Sequence, residues 1–183
     1  MLAGDPVSFE QLLQSTYNLL FHYGKKFTKD RELVKDSIQD VFLEVWEKRA
    51  VLNGGIPPRA YLLASLRRRL FRLEQRHRIM SPEDFSHGPE IEFDVEFSVE
   101  HSLIKLEEDR LTADRITFLL NKLPKRQKEA VYLRFFEQLD RDEIASIMEI
   151  HPQSVSNLLQ TAFKWMKTHW KVAISIVCAL FFG

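Results

Sequence analysis

Apolar residues recur at helical spacing from the start of the chain. Phe9, Leu12, Leu13, Tyr17, Leu20 and Phe21 line one side of a predicted helix over residues 9–27. Val34, Ile38, Val41, Phe42, Val45 and Trp46 do the same over residues 30–48, and Asp36, Gln39, Asp40, Glu44 and Glu47 make the opposite, mostly acidic face. Asn53, Gly54 and Gly55 break the pattern, and Pro57 and Pro58 precede a third helix over residues 60–78. There Tyr61, Leu62, Leu66, Leu70, Phe71 and Leu73 alternate with Arg67, Arg68, Arg69, Arg72, Arg76 and Arg78, and Arg59 stands just ahead of them.

The richest pattern lies over residues 123–167: a helix, a turn, a short helix, a tight turn and a second helix. Pro124 suits a first helical turn, because its missing N–H has no partner there in any case. Val131, Leu133, Phe135 and Phe136 are expected on the apolar face of the leading helix. Asp140 with Glu143 three residues later reads as a capping box. Ile144, Ala145 and Met148 face inward, Ala145 where the helices cross. Ile150 closes the turn, Pro152 opens the next helix, and Val155 packs back. Gln153, Ser154, Ser156, Asn157, Gln160, Thr161 and Lys164 are left to point outward. This is the form of a helix-turn-helix, whose second helix fits the major groove of DNA and offers polar side chains to base edges and phosphates. An ordinary helical hairpin with a polar face is the alternative. The outward face carries few cations, so its phosphate contribution alone is small.

A basic helix such as residues 60–78 has several uses. It is a solvated face, a membrane-surface or calmodulin-target helix, or a site where guanidinium groups and aromatic rings meet single-stranded nucleic acid. The helix-turn-helix downstream favours the last.

Composition narrows the field. The 183 residues carry 26 Lys and Arg against 26 Asp and Glu, so net charge is zero and any attraction to DNA must come from segregation. Charge is indeed segregated: after the arginine helix, residues 81–109 are strongly acidic. Pro82, Gly88 and Pro89 mark a linker there, in which Ile91, Phe93, Val95, Phe97 and Val99 alternate with charges. With no sheet to join, this alternation reads as an extended linker with apolar anchors whose acids shield the arginine helix. The single cysteine, Cys178, excludes an internal disulfide and fits a reducing cytoplasm. No metal-spaced Cys/His cluster, phosphate loop, nucleophile elbow or paired catalytic carboxylate is present, so no cofactor, metal or enzymatic activity is expected. Residues 1–9 lack the basic flank and apolar core of a signal peptide. The apolar run 172–183 is shorter than the roughly 20 residues a bilayer span needs. It is read first as a last helix packing on its own domain or a sticky terminus, with a membrane-surface or partner-binding anchor as the weaker alternative.

Taken together, DSIQDVFLEVWEKR, PPRAYLLASLRRRLFRLEQR, LPKRQKEAVYLR, DRDEIASIMEI and SVSNLLQTAFKWMK resemble the extracytoplasmic-function (ECF) sigma factors of bacterial RNA polymerase. The resemblance implies an all-α chain of two small helical domains joined by the acidic linker: a region 2-like domain over 1–80, a linker over 81–105, a region 4-like helix-turn-helix domain over 106–171, and the tail over 172–183. It implies core RNA polymerase and promoter DNA as partners, and leaves room for an anti-sigma factor. Asp36, Gln39, Asp40, Glu44 and Trp46 then fall on the polymerase-facing helix, and residues 49–55 on the loop that pockets a flipped base. Arg59, Tyr61, Arg67 and Arg68 fall on the helix that handles the opened −10 strand. Gln153, Ser154, Ser156, Asn157, Gln160 and Lys164 fall on the −35 helix. The linker of such proteins threads toward the polymerase active-site and RNA-exit channel; a flexible acidic spacer is the equal alternative.

The chain also departs from the family pattern. Arg68 and Arg72 stand where Asn and Asp are usual, Glu149 replaces the turn glycine, and Ser156, Asn157 and Leu158 replace a basic stretch, leaving Leu158 unexpectedly outward. A helix-turn-helix regulator with an N-terminal sensory or dimerisation domain is the competing reading.

Overall fold

The computed structural model describes residues 5–49, 57–80, 93 and 107–182, with the backbone alone at 77–80, 107–111, 113 and 171–182. Among these residues the regular structure is helical: α1 (Pro6–Gly24), α2 (Arg31–Glu47), α3 (Pro58–Met80), α4 (Glu107–Lys122), α5 (Lys125–Val131), α6 (Arg141–Met148) and α7 (Pro152–Phe182), with a π-helical turn at Tyr132–Phe136. The expected flipped-base loop lies outside the described residues from 50 onward, as do the linker, Phe93 excepted, and the side chains of the tail.

The caps explain where helices begin. Asp5 accepts from the amides of Val7 and Ser8, and Asp30 from those of Glu32 and Leu33, satisfying donors that a first turn leaves free. Asp140 and Glu143 form the expected reciprocal capping box. α1, α2 and α3 pack on one another around Leu20, Val34, Ile38, Val41, Leu62, Leu63 and Leu66. Gly24 ends α1 against α2, where a Cβ would stand 2.7 Å from Val34 Cγ1. In the second half, α5, α6 and α7 close around Val131, Leu133, Ile144, Ile147, Val155 and Ala162.

Two expectations about apolar faces need correction. Phe135 and Phe136 are half exposed rather than buried. The π-helical turn, marked by the Glu137 amide donating to the Tyr132 carbonyl, inserts an extra residue and rotates the face, so Tyr132 and Leu133 take the interior places. Leu158 is half-buried against the core instead of pointing away from the protein.

The two halves also pack on each other, chiefly through α3 against α6. Tyr23 of α1 stacks on Tyr132 with ring centroids 6.3 Å apart. Phe93, at 1 % exposure, is wedged at this seam, 5.2 Å from Phe27, 6.2 Å from Tyr23 and 5.8 Å from Tyr132. Each such pair contributes roughly 0.5–1.5 kcal/mol beyond the area it buries. The linker is thus anchored by Phe93 where the domains meet.

Candidate nucleic-acid and polymerase interface

Three faces carry the expected site residues. The first is the outer side of α2. Asp36 and Gln39 are exposed. Asp40 is engaged by Arg69 of α3. Glu44 pairs with Lys48 at 2.5 Å, and that hydrogen bond holds its carboxyl below the usual range. Trp46 is half-buried against Phe9, with ring centroids 4.9 Å apart, and Arg49 lies 4.5 Å over its ring. One residue of this face escaped the sequence reading. Leu43, seven positions after Asp36 and four before Glu47, lies on the same side of the helix and is 59 % exposed. Its absence from the buried stripe was the available signal.

The second face is on α3, and here the expected arginines are occupied. Arg67 is buried, donating Nε to Glu129 Oε1 at 2.7 Å and Nη2 to Oε2 at 3.3 Å. The Tyr23 hydroxyl donates to the same Oε1 at 2.8 Å. Burial, reinforced by the Glu129 charge, pushes the Tyr23 hydroxyl well above its ordinary pKa. Burial also opposes the Arg67 charge, but Glu129 outweighs it and holds the guanidinium above its usual value. Removing either member of such a pair strands a buried charge, at a cost of about 3–5 kcal/mol while the other stays buried. Arg59 pairs with Glu137 at 2.5 Å, and Arg68 approaches Glu149 at 3.4 Å. Tyr61 is half-buried and lines a cleft of about 1280 Å³ between the domains, together with Lys48, Phe71, Arg72, Arg126 and Leu158. Arg67 is therefore not open to a ligand in this arrangement, contrary to the picture of a solvent-facing arginine helix.

The third face begins α7. The backbone amide of Gln153 donates to His151 Nδ1 at 3.2 Å, and Pro152 occupies the first turn. Gln153, Asn157, Gln160, Thr161 and Lys164 are all exposed, at spacings that keep them on one side of the helix. Gln153 Nε2 donates to Asn157 Oδ1 at 3.2 Å, which orders two amides side by side. Ser154 and Ser156 are half-buried. Val155, with no exposure, fixes the helix against α6. A rigid helix with a row of amides and a lysine suits hydrogen bonding to base edges and a phosphate. Among the described residues no group of His, Cys, Asp or Glu has a metal-binding arrangement, and no helix is long and apolar enough to cross a membrane.

Residues 12–78 match sigma-70 region 2 and residues 113–166 match sigma-70 region 4, together about two-thirds of the chain. No curated protein gives a significant match. Among solved structures, the chain is similar to the sigma factor RpoE from Bartonella quintana, solved with the anti-sigma factor NepR, at 19 % identity and a TM-score of 0.60, over 90 % of this chain and 98 % of that one. It is likewise similar to CnrH, solved in complex with the cytosolic domain of CnrY, at 18 % identity and a TM-score of 0.58, over 93 % and 92 % of the two chains. The region 2 match sets aside a sensory or dimerisation domain in the N-terminal half. With region 2 and region 4 matched in order along one chain, the protein belongs to the sigma-70 family of RNA polymerase sigma factors.

Proposed function

We propose that the three faces divide the work of promoter recognition. The outer side of α2, with Asp36, Gln39, Asp40, Glu44 and Trp46, docks on core polymerase, and Leu43 adds an apolar contact at its centre. Arg59, Tyr61, Arg67 and Arg68 of α3 engage the opened −10 strand, with guanidinium groups on phosphates and the ring available for stacking. Gln153, Ser154, Ser156, Asn157, Gln160 and Lys164 of α7 read the −35 element. The domain limits 1–80 and 106–171 enclose these two units, with residues 81–105 as connector. The chain supplies binding energy and strand separation in the cytoplasm, without a cofactor, while phosphodiester synthesis belongs to the polymerase. An anti-sigma factor is a fitting regulator, since the RpoE similar to this chain was solved with one.

The observation that carries this reading is the single-sided row Gln153, Asn157, Gln160 and Lys164 on a helix matched to region 4, in the same chain as a region 2 match. The test is pull-down of core polymerase by the purified chain, followed by run-off transcription from a promoter library. Polymerase capture with selective initiation is expected; DNA binding without capture would make the chain a stand-alone DNA-binding protein.

A further inference from the structure

We infer that the end of α7 is a membrane-surface anchor, which beds in the headgroup and outer acyl layer of an anionic bilayer and tethers the chain there. α7 is one continuous helix from Pro152 to Phe182. Its first half belongs to the second domain: Val155 and Ala162 have no exposure, and Trp165 and Met166 pack against the core. The helix then leaves that core. Lys167, Thr168 and His169 are all exposed, and Trp170 is half-buried. Arg115 of α4 meets α7 at this level, 5.1 Å over the Trp170 ring, and its Nη2 donates to the Trp170 carbonyl at 3.4 Å. Beyond Trp170 the backbone stays helical to Phe182, and there the sequence reads VAISIVCALFF.

A helix of that sequence is apolar on every side, Ser175 being its one polar residue, so it needs cover all round. Its own domain has little to offer. α4, which packs on α7, reads EEDRLTAD over 107–114, where Leu111 and Ala113 are the only apolar residues. A second copy of the helix would cover one stripe and leave the rest in water. Acyl chains cover every side. The flanking charges select the kind of surface. Residues 150–183 contain no Asp or Glu, while Lys164, Lys167 and Lys171 precede the apolar run. Trp165 and Trp170 stand among these lysines, and tryptophan rings favour the water–lipid boundary. Lysine stems lie along apolar surface while their ammonium groups stay with headgroups. Each lysine near an anionic leaflet tightens binding about fivefold, and the cytoplasmic leaflet is the anionic one. At about 1.5 Å per residue the run rises roughly 16 Å, about half the hydrocarbon thickness, so it enters one leaflet without crossing.

The test is co-sedimentation of the full chain with vesicles of phosphatidylcholine mixed with phosphatidylglycerol, against vesicles of phosphatidylcholine alone. The full chain should sediment with the mixed vesicles and far less with the neutral ones. Lys167→Gln with Lys171→Gln should weaken binding to the mixed vesicles by about 25-fold, two lysines at about fivefold each, and leave the neutral ones unaffected. Ile176→Glu with Leu180→Glu, which keeps the helix and makes it polar, should abolish sedimentation. Deleting residues 172–183 should do the same while leaving the denaturation midpoint of the remainder unchanged. Lipids brominated near the headgroup should quench the part of the fluorescence that Trp170→Phe removes. A full chain that stays in solution with mixed vesicles overturns the anchor, as does equal sedimentation of the glutamate variant. Equal binding to the two kinds of vesicle overturns the choice of an anionic surface. Pelleting without vesicles that the deletion abolishes would make the tail a contact between copies of this chain. A lowered denaturation midpoint in the deletion, with no vesicle binding by the full chain, would return the tail to its own domain. Run-off transcription should persist in the lysine variant, so a failure of promoter reading is separable from a failure of the anchor.

Discussion

Glu149 adopts a left-handed backbone at φ 54° while its carboxylate stands 3.4 Å from Arg68 of the other domain. The two facts oppose each other energetically. A non-glycine residue in that conformation costs about 1 kcal/mol or more. The ion pair, half exposed on both sides, contributes roughly 0.2–1 kcal/mol. Glu149→Gly relieves the backbone and loses the pair, so its stability should lie within about 1 kcal/mol of wild type. Glu149→Ala loses the pair and keeps the strain. Denaturant unfolding should therefore place the glycine variant above the alanine variant by about 1 kcal/mol; the reverse order would show that the turn is not strained.

Gly24 illustrates a different constraint. Its missing side chain lets α1 approach α2, and an added Cβ would meet Val34 Cγ1 at 2.7 Å and Leu66 Cδ2 at 3.5 Å. Val34 has no exposure and a stiff branched side chain, so it cannot swing aside. Gly24→Ala should cost roughly 1–3 kcal/mol, as overpacking does, despite the better helix propensity of alanine. Val34→Ala in the same chain should recover part of that loss. A double-mutant cycle with no coupling between the two positions would refute the clash.

Helix positions and caps were legible in the sequence because both are local: the capping box of Asp140 and Glu143, the stripe from Val34 to Val45, and the seat of Val155 all follow from spacing. Phe135 and Phe136 were misplaced because an apolar count assumes a regular helix, and the π-helical turn adds one residue to it. The burial of Arg67 and the inward packing of Leu158 were not legible for another reason. Their partners are non-local, with Glu129 lying 62 residues beyond Arg67, and no periodicity connects α3 to the second domain. Leu43 was overlooked because an isolated outward leucine on a mostly acidic face leaves the helical pattern intact.

Alkaline pH should open the seam. The Tyr23 and Tyr132 hydroxyls have an ordinary pKa near 10, and in the closed chain burial raises both, with the Glu129 charge adding for Tyr23 and the Glu137 hydrogen bond for Tyr132. Arg67 beside Tyr23 and Arg59 beside Tyr132 pull the other way without reversing either shift. Raised values in the closed state mean that the open state loses its tyrosine protons first. The contribution to closure is thus complete below about pH 10 and falls away as pH climbs toward the higher values. Scattering across this range should show expansion, and Tyr23→Phe with Tyr132→Phe, which cannot titrate there, should flatten the dependence. An equal response in that variant would assign the effect to other groups.

On α2, the exposed Leu43 makes the docking face testable without disturbing the core. Leu43→Ser and Gln39→Ala touch a surface where substitutions shift stability by about 0.5 kcal/mol at most. Both should nevertheless weaken competition for core polymerase, Leu43→Ser the more, because a desolvated apolar anchor contributes more than a rim amide. Asp40→Lys differs in kind. It sets two cations side by side, since Arg69 engages Asp40, and should lower stability as well as binding. Wild-type polymerase affinity in Leu43→Ser and Gln39→Ala together would move the docking surface off this face.

The α7 face makes the sharpest prediction, because its residues divide by chemistry. Gln153 and Asn157 are joined by a hydrogen bond, and Gln160 follows on the same exposed side. An Asn or Gln that grips adenine with both amide atoms is worth about 1–3 kcal/mol of discrimination. Asn157→Ala and Gln160→Ala should each relax preference at particular −35 positions by that amount, roughly fivefold to more than a hundredfold. Gln153→Ala should also loosen preference at the Asn157 position, since it frees the Asn157 amide to rotate. Lys164 carries no base-reading geometry, so Lys164→Ala should weaken all sequences about equally and shallow the salt dependence of binding by about one phosphate contact. Leu158 lies half-buried and away from this row, so Leu158→Ala should leave base preference untouched. A promoter-library selection separates these outcomes. Wild-type preference in all of the amide variants, or an altered preference in Leu158→Ala, would place the recognition face on another side of α7.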